Sequence, residues 1–336
     1  MTSPGWRALR FLASSPSSLS RPHWRRWGTR LLIGWFVVWT SYVALTVPFW
    51  GGLGGDALIY YRAASAWIAG GNPWLASVTA VGGGTTFHFY GLPPTVVFLA
   101  PFAVIPESWV PAIGIVIEAI AAAYVVRKLQ LPMWWLVFPP IVSGVLSGNP
   151  SIVLLATLLA SSPVIQATAP ILKIYAALPL LGSGRWRAIG LSIAATALTV
   201  LLAPGLWQQF LDGSTAREAQ LMGESSGGFS AFQFGVFATA LTAIAIVVLA
   251  YIDRPAAGWL APIAIWPASQ FHWNTLALPL RNPWLAAILA CHIQGLPPVG
   301  VIAYVGWRVL RSSSAKIASR QRQAPIVAQR PAATEH

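Results

Sequence analysis

The run Leu31-Leu32-Ile33-Gly34-Trp35-Phe36-Val37-Val38-Trp39-Thr40-Ser41-Tyr42-Val43-Ala44-Leu45-Thr46-Val47-Pro48 carries no charge. It approaches the roughly 20 apolar residues that a helix needs to cross a bilayer. Upstream stand Arg7, Arg10, Arg21, Arg25, Arg26 and Arg30. The apolar core is longer than that of a signal peptide and no convincing small-residue cleavage site follows it, so it reads as a retained anchor. Basic flanks of this kind hold a terminus on the cytoplasmic side.

Outward from this run the pattern repeats. Apolar segments recur at about 91–106, 109–126, 133–147, 151–163, 165–182, 187–204, 232–251, 256–270, 274–291 and 295–310. The chain is 56% hydrophobic and only 9% charged, whereas about a quarter of an ordinary soluble domain is charged. The expected fold is therefore all-α, a polytopic helical bundle with about 9–12 membrane segments. Residues 31–310 form the membrane domain, between basic, largely disordered tails at 1–30 and 311–336. Pro139-Pro140, Pro163, Pro170 and Pro179 break the central region, and broken helices need protein or a water-filled cavity around them.

The net charge of +13 invites a nucleic-acid partner, but the charge sits at membrane flanks; the expected partner is the bilayer. The single cysteine, Cys291, excludes an intramolecular disulfide and a cysteine-based metal site. Arginine outnumbers lysine, a compositional association with GC-rich bacterial genomes, so the expected location is a bacterial inner membrane. Two long loops, about 51–89 and 205–229, fall on one face, outside if the N-terminus is inside and Arg185 and Arg187 mark an inner loop. An odd number of spans leaves the basic C-terminal tail outside, and Arg127-Lys128 falls on the wrong side of a simple alternation. One of the short central or late segments is then expected to be re-entrant.

Acid is scarce, with 8 Asp and Glu against 21 Lys and Arg, so Asp56 beside the first span stands out. Two roles are open to it: an N-cap of the helix-like run that follows, or a functional carboxylate. Asp56, Tyr60, Ala63 and Trp67 share one stripe at helical spacing, as on a short amphipathic helix at the membrane surface. Tyr60, Tyr61 and Trp67 suit the headgroup layer. Lys173, flanked by apolar residues, must snorkel, meet an anion or pair with Glu118.

The motifs follow one another as Asp56, Tyr60-Tyr61, Ala63-Ala64, Trp67 and Gly71-Asn72-Pro73-Trp74; then Phe87-His88-Phe89-Tyr90-Gly91-Leu92-Pro93-Pro94 and Ala100-Pro101-Phe102-Ala103-Val104-Ile105-Pro106. Gly148-Asn149, Leu172-Lys173-Ile174-Tyr175 and Ser269-Gln270-Phe271-His272 complete the series. This order resembles glycosyltransferase family 87, the polyprenol-phosphate-mannose-dependent mannosyltransferases of the GT-C fold, over roughly residues 30–310. It departs in having Gly-Asn for Gly-Gln, in its late Ser-Gln-Phe-His, and in being short for the family.

The resemblance implies an outward-facing active site that takes a hexose, most simply mannose, from a polyprenyl phosphate and delivers it to a lipid or glycan acceptor. Asp56 is then the catalytic base, and Lys173 and His272 match the family's intramembrane lysine and late-loop histidine. Transfer to a hydroxyl needs one base and cationic groups beside the leaving phosphate. Asp56 suits the first role, while Arg62, Lys173 and His272 are available for the second; Tyr60, His88 and Asn149 join them as candidate substrate-binding residues. No dense carboxylate cluster offers a divalent metal site, so the expected reaction is metal-independent, without a cofactor, and inverting by single displacement. Two alternatives stand beside it: a transporter or flippase of lipid-linked sugars, which also uses broken helices and an intramembrane lysine, and a non-catalytic member of the family.

Overall fold

The computed structural model describes residues 22–49, 52–79, 86–214, 228–267 and 269–323. About 80% of it is helical. Helix α1 (Pro22–Thr46) leads into the segment around Asp56, where α2 spans Gly55–Ile68. A short antiparallel hairpin follows, β1 (Ser77–Thr79) with β2 (Thr86–His88), in the register Ser77↔His88. Then come α3 (Pro93–Leu99), α4 (Val110–Lys128), α5 (Pro139–Ser147), α6 (Ser151–Leu159), α7 (Pro163–Leu172), α8 (Ala177–Gly182), α9 (Trp186–Leu202) and α10 (Pro204–Asp212). The chain closes with α11 (Gly235–Ile252), α12 (Arg254–Ala264), a 3₁₀ run Phe271–Leu280, α13 (Pro283–Leu289) and α14 (Leu296–Gln323).

Among the described residues, three helical stretches are long and apolar enough to cross a membrane singly: Trp27–Phe49, Glu107–Lys128 and Ala231–Ile252. Two bent pairs, α5 with α6 at 114° and α9 with α10 at 97°, raise the number to five. The chain is thus a helical membrane protein, with large apolar side chains such as Leu31, Val38, Ile120, Val236 and Phe237 presented outward. The other apolar segments are shorter than a straight crossing. The expected 274–291 segment, for instance, is a 3₁₀ run and a seven-residue helix joined at Arg281. Prolines at the first position of several helices account for the short lengths, since they suit a first turn and stop a helix from extending backward through them.

The tails depart from expectation where they are described. Helix α1 begins at Pro22 and α14 continues to Gln323, so residues 22–30 and 311–323 are helical rather than disordered. Arg, Lys, Ala and Gln, which fill much of the 311–323 stretch, are strong helix formers.

Segment 91–106 doubles back instead of running the length of the bundle. It leaves the hairpin, where Trp74 Nε1 donates to the Gly91 carbonyl at 3.0 Å, and returns beside α2, where the Tyr61 hydroxyl meets the Ala103 carbonyl at 3.5 Å. Glu107 then pairs with Arg62 at 2.7 Å. Both ends of this segment therefore lie beside α2 at the same end of the bundle. Helix α4 starts at that end, and its C-terminal Arg127-Lys128 lies at the opposite one. The opposite end also holds the Arg308–Asp253 pair and Arg254 stacked over Trp186. The core between the two ends is aliphatic, centred on Phe36, Leu154, Leu155, Leu158, Leu260 and Ile263. Helices α8 and α12 touch through glycines: a Cβ on Gly182 would stand 2.9 Å from Gly258 Cα.

Candidate functional site

The end of the bundle that carries α2 is built on close backbone approach. Gly54 adopts φ 70°, and its amide donates to the Leu146 carbonyl at 2.8 Å. A Cβ there would stand 2.4 Å from Pro111 Cα, so only glycine lets the loop reach α4. Gly148 closes α5 at φ 67°, which turns the chain through the sharp elbow into α6. The elbow lies against Gly54 and Ala57: a Cβ on Gly148 would meet them at 3.2 and 3.1 Å.

These contacts seat Asp56 in the first turn of α2, beside the elbow. Asn149 Nδ2 donates to Asp56 Oδ2 at 2.8 Å, and Asn149 Oδ1 accepts the Ser151 amide at 3.2 Å. The N-cap of α2 is Gly54, without a side-chain capping bond, so Asp56 is not the cap that the sequence left open. Desolvation by the surrounding protein raises the Asp56 pKa above its ordinary value. The Asn149 amide, the charge of Lys173 and the Ser147 hydroxyl oppose that rise.

Lys173 enters from the other side. It breaks the regular structure between α7 and the short 3₁₀ turn after it, in an extended conformation at φ −148°. Its ammonium lies 5.5 Å from the Tyr60 ring centre and 5.8 Å from that of Trp273, a cation held between two aromatic faces. Trp273 packs on Tyr175 with ring centres 3.9 Å apart. His272, the neighbour of Trp273, is buried and within electrostatic range of Lys173. The buried Nε2 of His272, Nε1 of Trp273 and hydroxyl of Tyr175 make no hydrogen bond within the protein. Such groups are costly unless a partner meets them.

The expected site residues therefore divide. Asp56, Tyr60, Asn149, Lys173 and His272 gather at one end of the bundle. Arg62 is engaged elsewhere, since its guanidinium holds Glu107 at 2.7 and 3.0 Å and donates to the Ser77 carbonyl at 2.8 Å. His88 stands opposite Ser77 on the hairpin, so Arg62 and His88 brace the hairpin side. Glu118 is not the ion-pair partner of Lys173 that one reading allowed: its Oε2 accepts the amides of Ile152 and Val153 at 3.2 and 3.3 Å. The sequence reading gave Tyr175 and Trp273 no part in the site. Their positions, two residues after Lys173 and one after His272, were the available signal.

The two long loops also meet. Ala203, Leu206 and Phe210 pack into a small core with Ile59, Trp74 and Phe89, and the Trp74 and Phe210 rings lie 5.3 Å apart. Phe229, one residue after the described chain resumes, donates its amide to the Ser269 carbonyl at 3.1 Å and packs its ring, tilted, against Phe271. Residues 215–227, with Arg217, Glu218 and Glu224, lie outside the described residues. No group of three His, Cys, Asp or Glu side chains gathers in metal-binding geometry among the described residues.

The fold and the polar cluster together define a helical membrane protein with a carboxylate and an ammonium held at one end of its bundle. Comparison with family models, characterised proteins and solved structures finds no match.

Proposed function

We propose that the chain is a membrane glycosyltransferase of the GT-C type, moving a hexose, most simply mannose, from a polyprenyl phosphate to a lipid or glycan acceptor. The observation that carries this reading is the meeting of Asp56, oriented by Asn149, with Lys173 between Tyr60 and Trp273. In this reading Asp56 takes the acceptor hydroxyl proton as its oxygen attacks the anomeric carbon. The bond to the carrier phosphate breaks on the opposite face, inverting the centre, and Lys173 balances charge on the departing phosphate. The raised Asp56 pKa suits a base that must hold a proton in passing. The unpartnered Tyr175, Trp273 and His272 atoms supply hydrogen-bonding groups to donor or acceptor. The bundle end with Arg127, Lys128, Arg254 and Arg308 faces the cytoplasm of a bacterial inner membrane, and the site faces out.

The test is transfer in proteoliposomes from polyprenyl-phosphate mannose carrying a labelled sugar. Label passing to an acceptor lipid extract, with free polyprenyl phosphate released in equal amount, supports the reading. Label that crosses the bilayer still attached to its carrier would instead establish a flippase.

A further inference from the structure

We propose that Glu118 is a positioning residue for Asp56: it holds the elbow between α5 and α6, and the elbow's Asn149 aims the carboxylate. The inference rests on the reading of Asp56 as a base.

Glu118 lies inside α4 at 2% exposure, in a stretch otherwise made of apolar residues. A carboxylate is expensive there unless its oxygens are used. One oxygen accepts two successive amides, Ile152 and Val153, which belong to the first turn of α6 and have no partner inside that helix. By accepting these two amides Glu118 fastens the start of α6 to α4. Three residues before Ile152 stands Asn149, whose amide oxygen is taken by Ser151 and whose NH₂ is thereby turned to Asp56. The elbow is held from its other side by the bond from Gly54 to Leu146. Three elements thus meet at one turn, and Glu118 is the side chain from α4 that ties it down.

The consequence is catalytic. A charge-assisted bond such as Asn149–Asp56 is directional, and it favours the ionised carboxylate. If α6 loosens from α4, Asn149 drifts and Asp56 loses both its aim and part of its stabilisation as an anion. The titratable group whose charge acts on Asp56 is Lys173, which favours the anion and is unchanged in the variants compared below. A misplacement of about 1 Å at a reacting group costs on the order of 10²-fold in rate.

The test compares Glu118→Ala, Glu118→Gln, Asn149→Ala and the double variant E118A/N149A in the reconstituted transfer assay. Glu118→Ala is expected to lower kcat about 10- to 10²-fold with the donor KM unchanged, because Glu118 touches no substrate. The acid limb of its kcat–pH profile should move to higher pH, as in Asn149→Ala. Glu118→Gln keeps one acceptor oxygen for the two amides and should regain most of the rate; it also serves if the alanine variant folds poorly. The double variant should be no slower than the slower single one. Losses that multiply, an unmoved acid limb, or a KM effect alone would overturn the proposal.

Asp56→Asn separates the two layers. If it is inactive while the Glu118 and Asn149 losses multiply, the base reading stands and the positioning role fails. If it retains the parental rate, the base reading and the catalytic half of this proposal fall together. Amide hydrogen exchange across residues 148–153 then decides the rest: faster exchange in Glu118→Ala keeps Glu118 as the anchor of the elbow, and unchanged exchange removes that as well.

Discussion

Replacing Gly114 by alanine tests whether the placement of α2, rather than the mere presence of Asp56, governs the site. A Cβ on Gly114 would stand 2.5 Å from the Cβ of Ala57, the residue after Asp56. Carbon atoms in contact prefer about 3.5–4.0 Å, so α2 and α4 must separate by about 1 Å locally. The Asn149–Asp56 bond, 2.8 Å long, joins α2 to the elbow that Glu118 ties to α4, so the same separation would lengthen it beyond hydrogen-bonding range. Overpacking of this kind costs about 1–3 kcal/mol of stability, and a 1 Å error at the base costs on the order of 10²-fold in kcat. The assay is sugar transfer in proteoliposomes, with thermal unfolding in detergent alongside. The double variant A57G/G114A moves the methyl group from one side of the contact to the other. It should recover most of the rate, despite about 1 kcal/mol lost by placing glycine in α2. A parental rate in Gly114→Ala, or no recovery in the double variant, would refute the reasoning.

Lys173→Met should lower donor use steeply while leaving the fold intact, since it removes the ammonium and keeps most of the side-chain volume; equal donor turnover in titrations would speak for a purely structural lysine. Arg62→Ala should change the transfer rate by less than about threefold, because its guanidinium is occupied by Glu107 and Ser77, and should cost no more than about 1 kcal/mol as a half-exposed pair. Asp212→Cys, made in a Cys291→Ser background, should react with a membrane-impermeant thiol reagent on intact cells, because α10 packs with the α2 end of the bundle. Labelling only after permeabilisation would place the site inside.

Much of the architecture was written in hydropathy and proline. The spans at 31–50, 109–126 and 232–251 lie on long apolar helices, because a segment in lipid must satisfy its own backbone bonds. Segment 91–106 was as apolar as the others. What turns it back beside α2 is its anchorage at both ends, Trp74 to Gly91 and Arg62 to Glu107, and those contacts link residues far apart in the chain. The same holds for the site. Asp56, Lys173 and His272 were visible as polar residues in apolar surroundings. Their neighbours were not, since Asn149 reaches Asp56 only through an elbow whose angle depends on Gly148, Gly54 and Pro111 packing together. Arg62 looked available for a phosphate because nothing local shows that Glu107, which lies beyond the whole 91–106 segment, takes it.

The central claim, that Asp56 is the base of a glycosyl transfer, is tested most directly by Asp56→Asn. Asparagine keeps the shape and can still accept the Asn149 amide, but it has no basicity. General-base catalysis contributes on the order of 10²–10⁴-fold, so transfer from polyprenyl-phosphate mannose should fall by that much. Stability should move the other way. The folded Asp56 has its pKa raised, chiefly by desolvation, so the native state holds its proton more firmly than the unfolded chain. That contribution to stability is present below the unfolded pKa and is lost as pH rises toward the folded value. The neutral asparagine escapes this loss, and at pH 7 the variant should melt at or above the parent's temperature. An inactive, fully stable Asp56→Asn protein is the predicted result. Transfer at the parental rate by that variant would contradict the account.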